Sequence, residues 1–154
     1  MKKILFVCTG NACRSAAGEY ILRQMLAEHQ LTDIATHSVG TLDWGENPRD
    51  KVMVKVAAEH GYQLEGTTTY MTSETLDTAD LILVMTPRHR DQITSLLRYD
   101  HWDRIHLFME YALGKPETSL EDPSGQSEFV YRRVFDILEE GCRALVNKLK
   151  SQQL

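Results

Sequence analysis

The chain has 154 residues and a net charge of -5, from 17 Lys and Arg against 22 Asp and Glu, a length that suits one domain over 1–154. Hydrophobic residues make up 42% and charged residues 25%, close to the average of soluble globular chains, which excludes long disorder, collagen-like repeats and low complexity. The longest apolar stretches, Ile4 to Cys8 and Leu81 to Met85, have strand length and fall far short of the ~20 residues of a membrane span.

The elements follow in chain order. Lys3 to Cys8 reads as a strand buried on both faces. After Ser15, Ala17, Ile21 and Met25 recur on one helical face with Leu22 and Leu26 beside it, which predicts a helix. Ile34 to Val39 is a second strand, and Gly40 to Asn47 supplies turn chemistry. Pro48 suits the first turn of a helix running to about Gly61. Ser73 to Ala79 reads as a short helix and Asp80 to Met85 as a third strand. Thr86 and Pro87 then make an N-cap followed by a first-turn proline. Arg104 to Phe108 is a fourth strand. The stretch Gly114 to Ser127 is the longest loop. Val130, Val134, Ile137, Leu138, Leu145 and Leu149 repeat at helical spacing in a long C-terminal helix.

Strands alternating with helices imply an α/β fold in three layers, a four-stranded parallel sheet with helices on both faces. Such sheets bind ligands beyond the carboxyl ends of their strands. Cys8 and the loop after it stand at such an end.

In Cys8-Thr9-Gly10-Asn11-Ala12-Cys13-Arg14-Ser15 a cysteine ends a strand, a short turn follows, and an arginine opens a helix. Backbone N–H groups of such a turn, with the helix N-terminus, make a phosphate-binding loop. Gly10 is expected to let the chain curl. The positive field that holds an anion favours the thiolate at Cys8, a nucleophile toward phosphorus. Arg14 can donate two parallel hydrogen bonds to phosphoryl oxygens, which lysine cannot. Ser15 is placed to hydrogen-bond the Cys8 sulfur, and Asn11 to pin the turn through its side-chain amide. Asp122, in the Asp122-Pro123 loop, is the candidate acid for a leaving oxygen. Taken singly, Cys8 reads equally as a buried strand-end thiol and Asp122 as a turn former.

Together these residues resemble the low-molecular-weight protein tyrosine phosphatase family, bacterial type, with its C-x5-R-S signature at the first strand end and a distant D-P loop. Ser38 to Thr41, Trp44, Pro48, Asp50 and Ala79 to Met85 match in the same order, so the resemblance spans essentially the whole chain. It implies a cysteine-dependent phosphatase with Cys8, Arg14 and Asp122 catalytic. Thr9, Gly10, Asn11, Ala12, Cys13, Ser15 and Trp44 would line the substrate site. Cys8 would attack phosphorus to give a cysteinyl-phosphate, and Asp122 would serve as acid and then as base for water. It also implies that Cys13 can pair with Cys8 under oxidation.

The chain departs from the family's tyrosine phosphatases at Thr9 and Ala12, where they commonly carry leucine and a bulky aliphatic residue. Ser124 and Gly125 replace the aromatics after D-P. The small Ala12 approaches the protein arginine phosphatase branch, whose loop reads C-T-G-N-T-C-R-S. Trp44, placed where tyrosine phosphatases have an aromatic wall, favours a phenyl ring. Phosphotyrosine is therefore the expected substrate, with phosphoarginine as alternative. Arsenate reduction would need two more cysteines following the third strand, and Met85 to His89 and the residues beyond contain none before Cys142 in the C-terminal helix. A non-catalytic anion-binding module is the remaining reading.

The expected partners are a phosphorylated protein and inorganic phosphate as product, with no membrane and no cofactor, and the protein is expected to be a monomer. No nucleic acid is expected, because the mildly acidic balance lacks a basic stripe. Three cysteines, Cys8, Cys13 and Cys142, form neither a disulfide scaffold nor a C-x-x-C pair, so reduced thiols are expected. Lys2 and Lys3 precede an apolar run too short for a signal peptide, which points to the cytoplasm. The six histidines show no i, i+4 pair, and no metal is expected. Cys142, Tyr111, Tyr131 and Trp102 read as packing residues, and Glu139-Glu140 as a solvated helix face.

Overall fold

The computed structural model describes residues 2–116 and 118–151; the ends of the 1–154 span and one position in the long loop lie outside them. β1 (Lys2–Cys8), β2 (Ile34–Gly40), β3 (Leu81–Val84) and β4 (Ile105–Leu107) form one sheet in the order β2-β1-β3-β4. Every pairing is parallel, with Cys8 opposite Gly40 and Val7 opposite Val84. Parallel strands need both faces covered, and β1 alternates accordingly. Ile4, Phe6 and Cys8 join the core on one face, and Leu5 and Val7 the core on the other.

The first face is covered by α1 (Arg14–Glu28), α2 (Lys51–Glu59), α5 (Phe108–Leu113) and α6 (Glu128–Lys150). Ala17, Ile21, Leu22, Met25 and Leu26 of α1 are all buried there, as are Val134, Leu138, Leu145 and Leu149 of α6. Phe6, Phe108 and Phe135 are fully buried, each contributing roughly 1.5–3 kcal/mol by leaving water. Close approach is built in, since a Cβ on Gly18 would meet the Phe6 ring at 2.7 Å and one on Gly141 the Phe108 ring at 2.2 Å. The second face is covered by α3 (Ser73–Asp77) and α4 (Pro87–Thr94), with Leu76 and Ile93 buried against Ile82 and Val84. No helix among the described residues is long and apolar enough to cross a membrane.

Two expectations are corrected. Pro48 lies outside the helix it was expected to open: it bridges Thr67, and α2 starts after Asp50, whose carboxylate accepts from the Val52 and Met53 amides. A side-chain cap set the boundary there. Phe108 does not end β4 but opens α5, which the sequence pattern missed because six residues are too few to display helical periodicity. A 3₁₀ turn at Tyr99–Arg104 was likewise unread. The stop near Gly61 agrees with its left-handed φ of 85°.

Because β1 is flanked by β2 on one side and β3 on the other, the chain leaves its carboxyl end at the point where the strand order reverses. That is where open α/β sheets leave a crevice. The loop from Thr9 to Cys13 occupies it.

Candidate active site

The loop carries a consistent polarity. The carbonyls of Cys8, Thr9, Ala12 and Cys13 accept from the backbone amides of Thr41, Leu42, Asp50 and Ala17 at 2.9–3.0 Å. The Gly10 carbonyl accepts from Trp44 Nε1 at 3.0 Å, and the Asn11 carbonyl from the Arg49 guanidinium. All six carbonyls are thus tied outward to the protein. Among the described residues, no backbone N–H from Thr9 to Arg14 donates to a protein acceptor. Six orphan donors around one thiol, at the start of a 15-residue helix, form a cradle of the kind an oxyanion fills.

The expected role of Gly10 is corrected. The left-handed residue of the loop is Asn11, with φ 57°, a conformation its short polar side chain tolerates. A Cβ at Gly10 would sit 3.4 Å from the Trp44 ring, an ordinary van der Waals contact, so no close approach demands glycine there.

Cys8 ends β1, buried, with Ser15 Oγ 2.9 Å from its sulfur. Asn11 Nδ2 donates to Ser15 Oγ at 2.9 Å and to Ser38 Oγ at 2.8 Å, while its Oδ1 accepts from the Thr69 amide. Ser38 in turn donates to Glu19 at 2.6 Å. The Cys13 thiol is buried, and burial, with the negative field of Asp50 behind it, pushes its pKa far up. Cys13 therefore stays protonated. Burial likewise raises Cys142, which lies in the core.

Arg14 is buried, with Nη1 donating to the Leu120 carbonyl at 3.0 Å and Nη2 3.8 Å from Asp122 Oδ2. Asp122 accepts the Ser124 amide at 3.0 Å in an Asx turn. Burial raises the Asp122 pKa, but the Ser124 hydrogen bonds and the Arg14 charge outweigh it and hold the carboxyl below its ordinary value. A cleft of about 190 Å³ opens between these groups, lined by Cys8, Thr9, Gly10, Ala12, Cys13, Arg14, Leu42, Trp44, Asp122 and Ser124. Of the expected site residues, Asn11 and Ser15 do not line it and stand behind the loop.

Sequence reasoning missed several supports. His89 is buried, accepts the Thr86 amide on Nδ1 and meets Thr9 Oγ1 at 2.9 Å through Nε2. Accepting on Nδ1 leaves the proton on Nε2, which donates to Thr9. Burial, with the charges of Arg14 and Arg88, lowers its pKa to about 4, so the ring is neutral. Its position three residues into a helix, after the Thr86 cap, was the available signal. Tyr131 also does more than pack, since its hydroxyl donates to Asp50 Oδ2 at 2.8 Å. Glu139 is not simply solvated either, because it accepts from the Tyr62 hydroxyl at 2.9 Å. The fold brings His60 beside Asp136 and Glu139, a surface group that does not line the cleft.

A family model described as low molecular weight phosphotyrosine protein phosphatase matches residues 3–154. The chain is 32% identical over 151 residues to the protein-arginine-phosphatase of Bacillus subtilis, covering 97% of this chain and 98% of that protein. It is 32% identical over 147 residues to the low molecular weight protein-tyrosine-phosphatase Etp of Escherichia coli, covering 95% and 93%. A crystal structure of a protein tyrosine phosphatase from Entamoeba histolytica, with Hepes in the active site, superposes with a TM-score of 0.91 at 29% identity over 100% of both chains. The YwlE arginine phosphatase from Geobacillus stearothermophilus superposes with a TM-score of 0.87 at 28% identity, covering 99% and 96%.

Proposed function

The chain belongs to the low-molecular-weight phosphotyrosine protein phosphatase family, and from that premise we propose that it hydrolyses phosphotyrosine in phosphorylated proteins through a cysteinyl-phosphate intermediate. The phosphoryl oxygens take the free N–H groups of the loop and the fork of Arg14, which stabilises their charge as it redistributes. Cys8 Sγ attacks phosphorus, the ester P–O bond breaks, and Asp122 gives its proton to the leaving oxygen. Water then attacks phosphorus while Asp122 takes its proton, the S–P bond breaks, and inorganic phosphate and the thiolate are released. Ser15, 2.9 Å from the sulfur, stabilises that thiolate both as nucleophile and as leaving group. The proposed setting is a monomer in the cytoplasm, where the thiol stays reduced.

The observation that carries this reading is the polarity of the loop: six carbonyls bonded outward, six N–H groups without protein acceptors, and one thiol among them. A module built only to bind an anion has no use for a carboxyl beside the arginine, and Asp122 stands 3.8 Å from Arg14.

Phosphoarginine is the second reading, favoured by Ala12, which lines the cleft with no more than a methyl group. Against it, Leu42 and Trp44 are half-exposed along the same cleft and offer an apolar platform suited to a phenyl ring. The test is the ratio of kcat/KM for a phosphotyrosine peptide over a phosphoarginine peptide, on the native chain and on Ala12→Ile, with Cys8→Ser as blank. A native preference for phosphotyrosine is expected. Preference for phosphoarginine, reversed by Ala12→Ile, would move the substrate to the second reading. Absence of turnover with phosphate still bound would leave the anion-binding module.

A further inference from the structure

Arg49 is nine-tenths buried, with 8% of its surface exposed, and lies just before α2 in a stretch that assigns it no role by motif. Its Nε donates to the Glu65 carbonyl at 2.8 Å. Its Nη1 donates to the Asn11 carbonyl and, at 3.1 Å, to Asn11 Oδ1. Among the described residues, no carboxylate lies within ion-pair distance of it, whereas Arg23, Arg132 and Arg133 all have one. A buried guanidinium without a carboxylate is costly. The fold nevertheless directs it at the one left-handed residue of the loop. Room is kept for it at Gly66, where a Cβ would lie 3.3 Å from Nη2.

The direction of every hydrogen bond downstream follows from this cation. Arginine can only donate, so the Asn11 atom facing it must be the oxygen. The Thr69 amide, also a donor, holds the same oxygen at 2.9 Å. Both acceptor sites of Oδ1 are then filled, and both protons of Nδ2 point away, one to Ser38 and one to Ser15 Oγ. Ser15, having accepted there, turns its own proton to the Cys8 sulfur at 2.9 Å, its other acceptor being the Val39 carbonyl at 3.4 Å. A reversed amide would offer Ser15 an oxygen and draw its proton off the sulfur.

We propose that Arg49 is a positioning residue for Cys8, orienting the Asn11 amide so that Ser15 donates to the sulfur while the Asn11 carbonyl is kept outside the phosphate cradle. This rests on the phosphatase reading for its consequence in turnover. It can also be read directly at the thiol.

The experiment compares native protein with Arg49→Met, which removes the donors, and Arg49→Lys, which keeps the charge without the fork. Turnover of p-nitrophenyl phosphate and the rate of Cys8 alkylation by iodoacetate at fixed pH, located by mass spectrometry, are measured well below each melting temperature. Both variants are expected to lose about tenfold or more in kcat and in alkylation rate, the scale of losing bonds to a charged group, with a much smaller change in KM. In the Arg49→Lys background, Ser15→Ala is expected to cost far less than it does in the native chain, because the two act along one path. Should Arg49→Met fail to fold, Arg49→Lys decides alone. Native kcat and alkylation rate in a folded variant would overturn the inference, as would losses that simply multiply with Ser15→Ala. Turnover in the native chain with unaffected variants overturns the role of Arg49 and leaves the phosphatase. No native turnover, but slowed alkylation in the variants, does the reverse.

Discussion

Binding of a phosphoryl group should raise the pKa of Asp122, and the interaction energy behind the rise can be worked from the site. In the free protein burial pushes the carboxyl up, but Ser124 and Arg14 outweigh it and hold it down. Such a group is ionised near neutral pH and cannot donate the proton that phosphoryl transfer requires. Arg14 Nη2 lies 3.8 Å from Asp122 Oδ2. Two unit charges at that separation attract by about 1 kcal/mol in bulk water and about 4 kcal/mol at an effective dielectric of 20. With 52% of the Asp122 side chain exposed, screening puts the pair at the lower end, about 1 kcal/mol. A bound dianion cancels that attraction and adds repulsion, so the carboxylate loses at least that stabilisation, about 1 kcal/mol, and the carboxyl titrates higher than in the free protein. The sign follows from which state the anion disfavours: it raises the free energy of the carboxylate and leaves the neutral acid alone. The assay is a ¹³C-carboxyl NMR titration of Cys8→Ser protein with and without saturating inorganic phosphate. An unchanged or lower midpoint in the presence of phosphate would refute the argument that the substrate switches Asp122 to its acid form. In turnover, Asp122→Asn should cost about 10²- to 10⁴-fold, more with a phosphotyrosine peptide than with p-nitrophenyl phosphate, whose leaving group needs less help.

Two close approaches give further outcomes. A Cβ on Gly40 would fall 2.5 Å from the Thr9 carbonyl and 3.1 Å from the Asn11 amide, so Gly40→Ala must displace the phosphate cradle. Its inorganic phosphate affinity should drop by about tenfold or more, because several charge-assisted bonds are misdirected together; unchanged affinity by isothermal calorimetry would contradict the cradle. Gly141→Ala, whose Cβ would meet the Phe108 ring at 2.2 Å, should lower stability by about 1–3 kcal/mol through overpacking, seen as a lower urea midpoint with kcat intact. A stability equal to native would mean that α5 and α6 can separate freely.

The chain by itself determined the sheet and the reacting groups, because both are written in local patterns. Five-residue apolar runs mark β1 and β3, and Cys8 and Arg14 sit at the two ends of one strand-turn-helix unit whose geometry depends on few other residues. The long period of α6 was legible for the same reason. Asp122 was legible only through its Pro123 neighbour and a resemblance, since nothing local sets its distance from Arg14. Boundaries went wrong where a side chain from elsewhere intervened, as when the Asp50 cap and the Thr67 bridge kept Pro48 out of α2.

What only the tertiary structure decided is the polarity of the site. Donors from Thr41, Leu42, Trp44, Arg49 and Asp50, all beyond β2, turn the loop carbonyls outward. His89 and Thr69 come from still farther along the chain. A hydrogen bond constrains two groups by their separation in space, and residues 38 apart in sequence, such as Arg49 and Asn11, have none that periodicity can express. The chemistry of Cys8 is therefore readable in eight residues, while the direction of the proton on Ser15 that serves it depends on the packing of the whole domain.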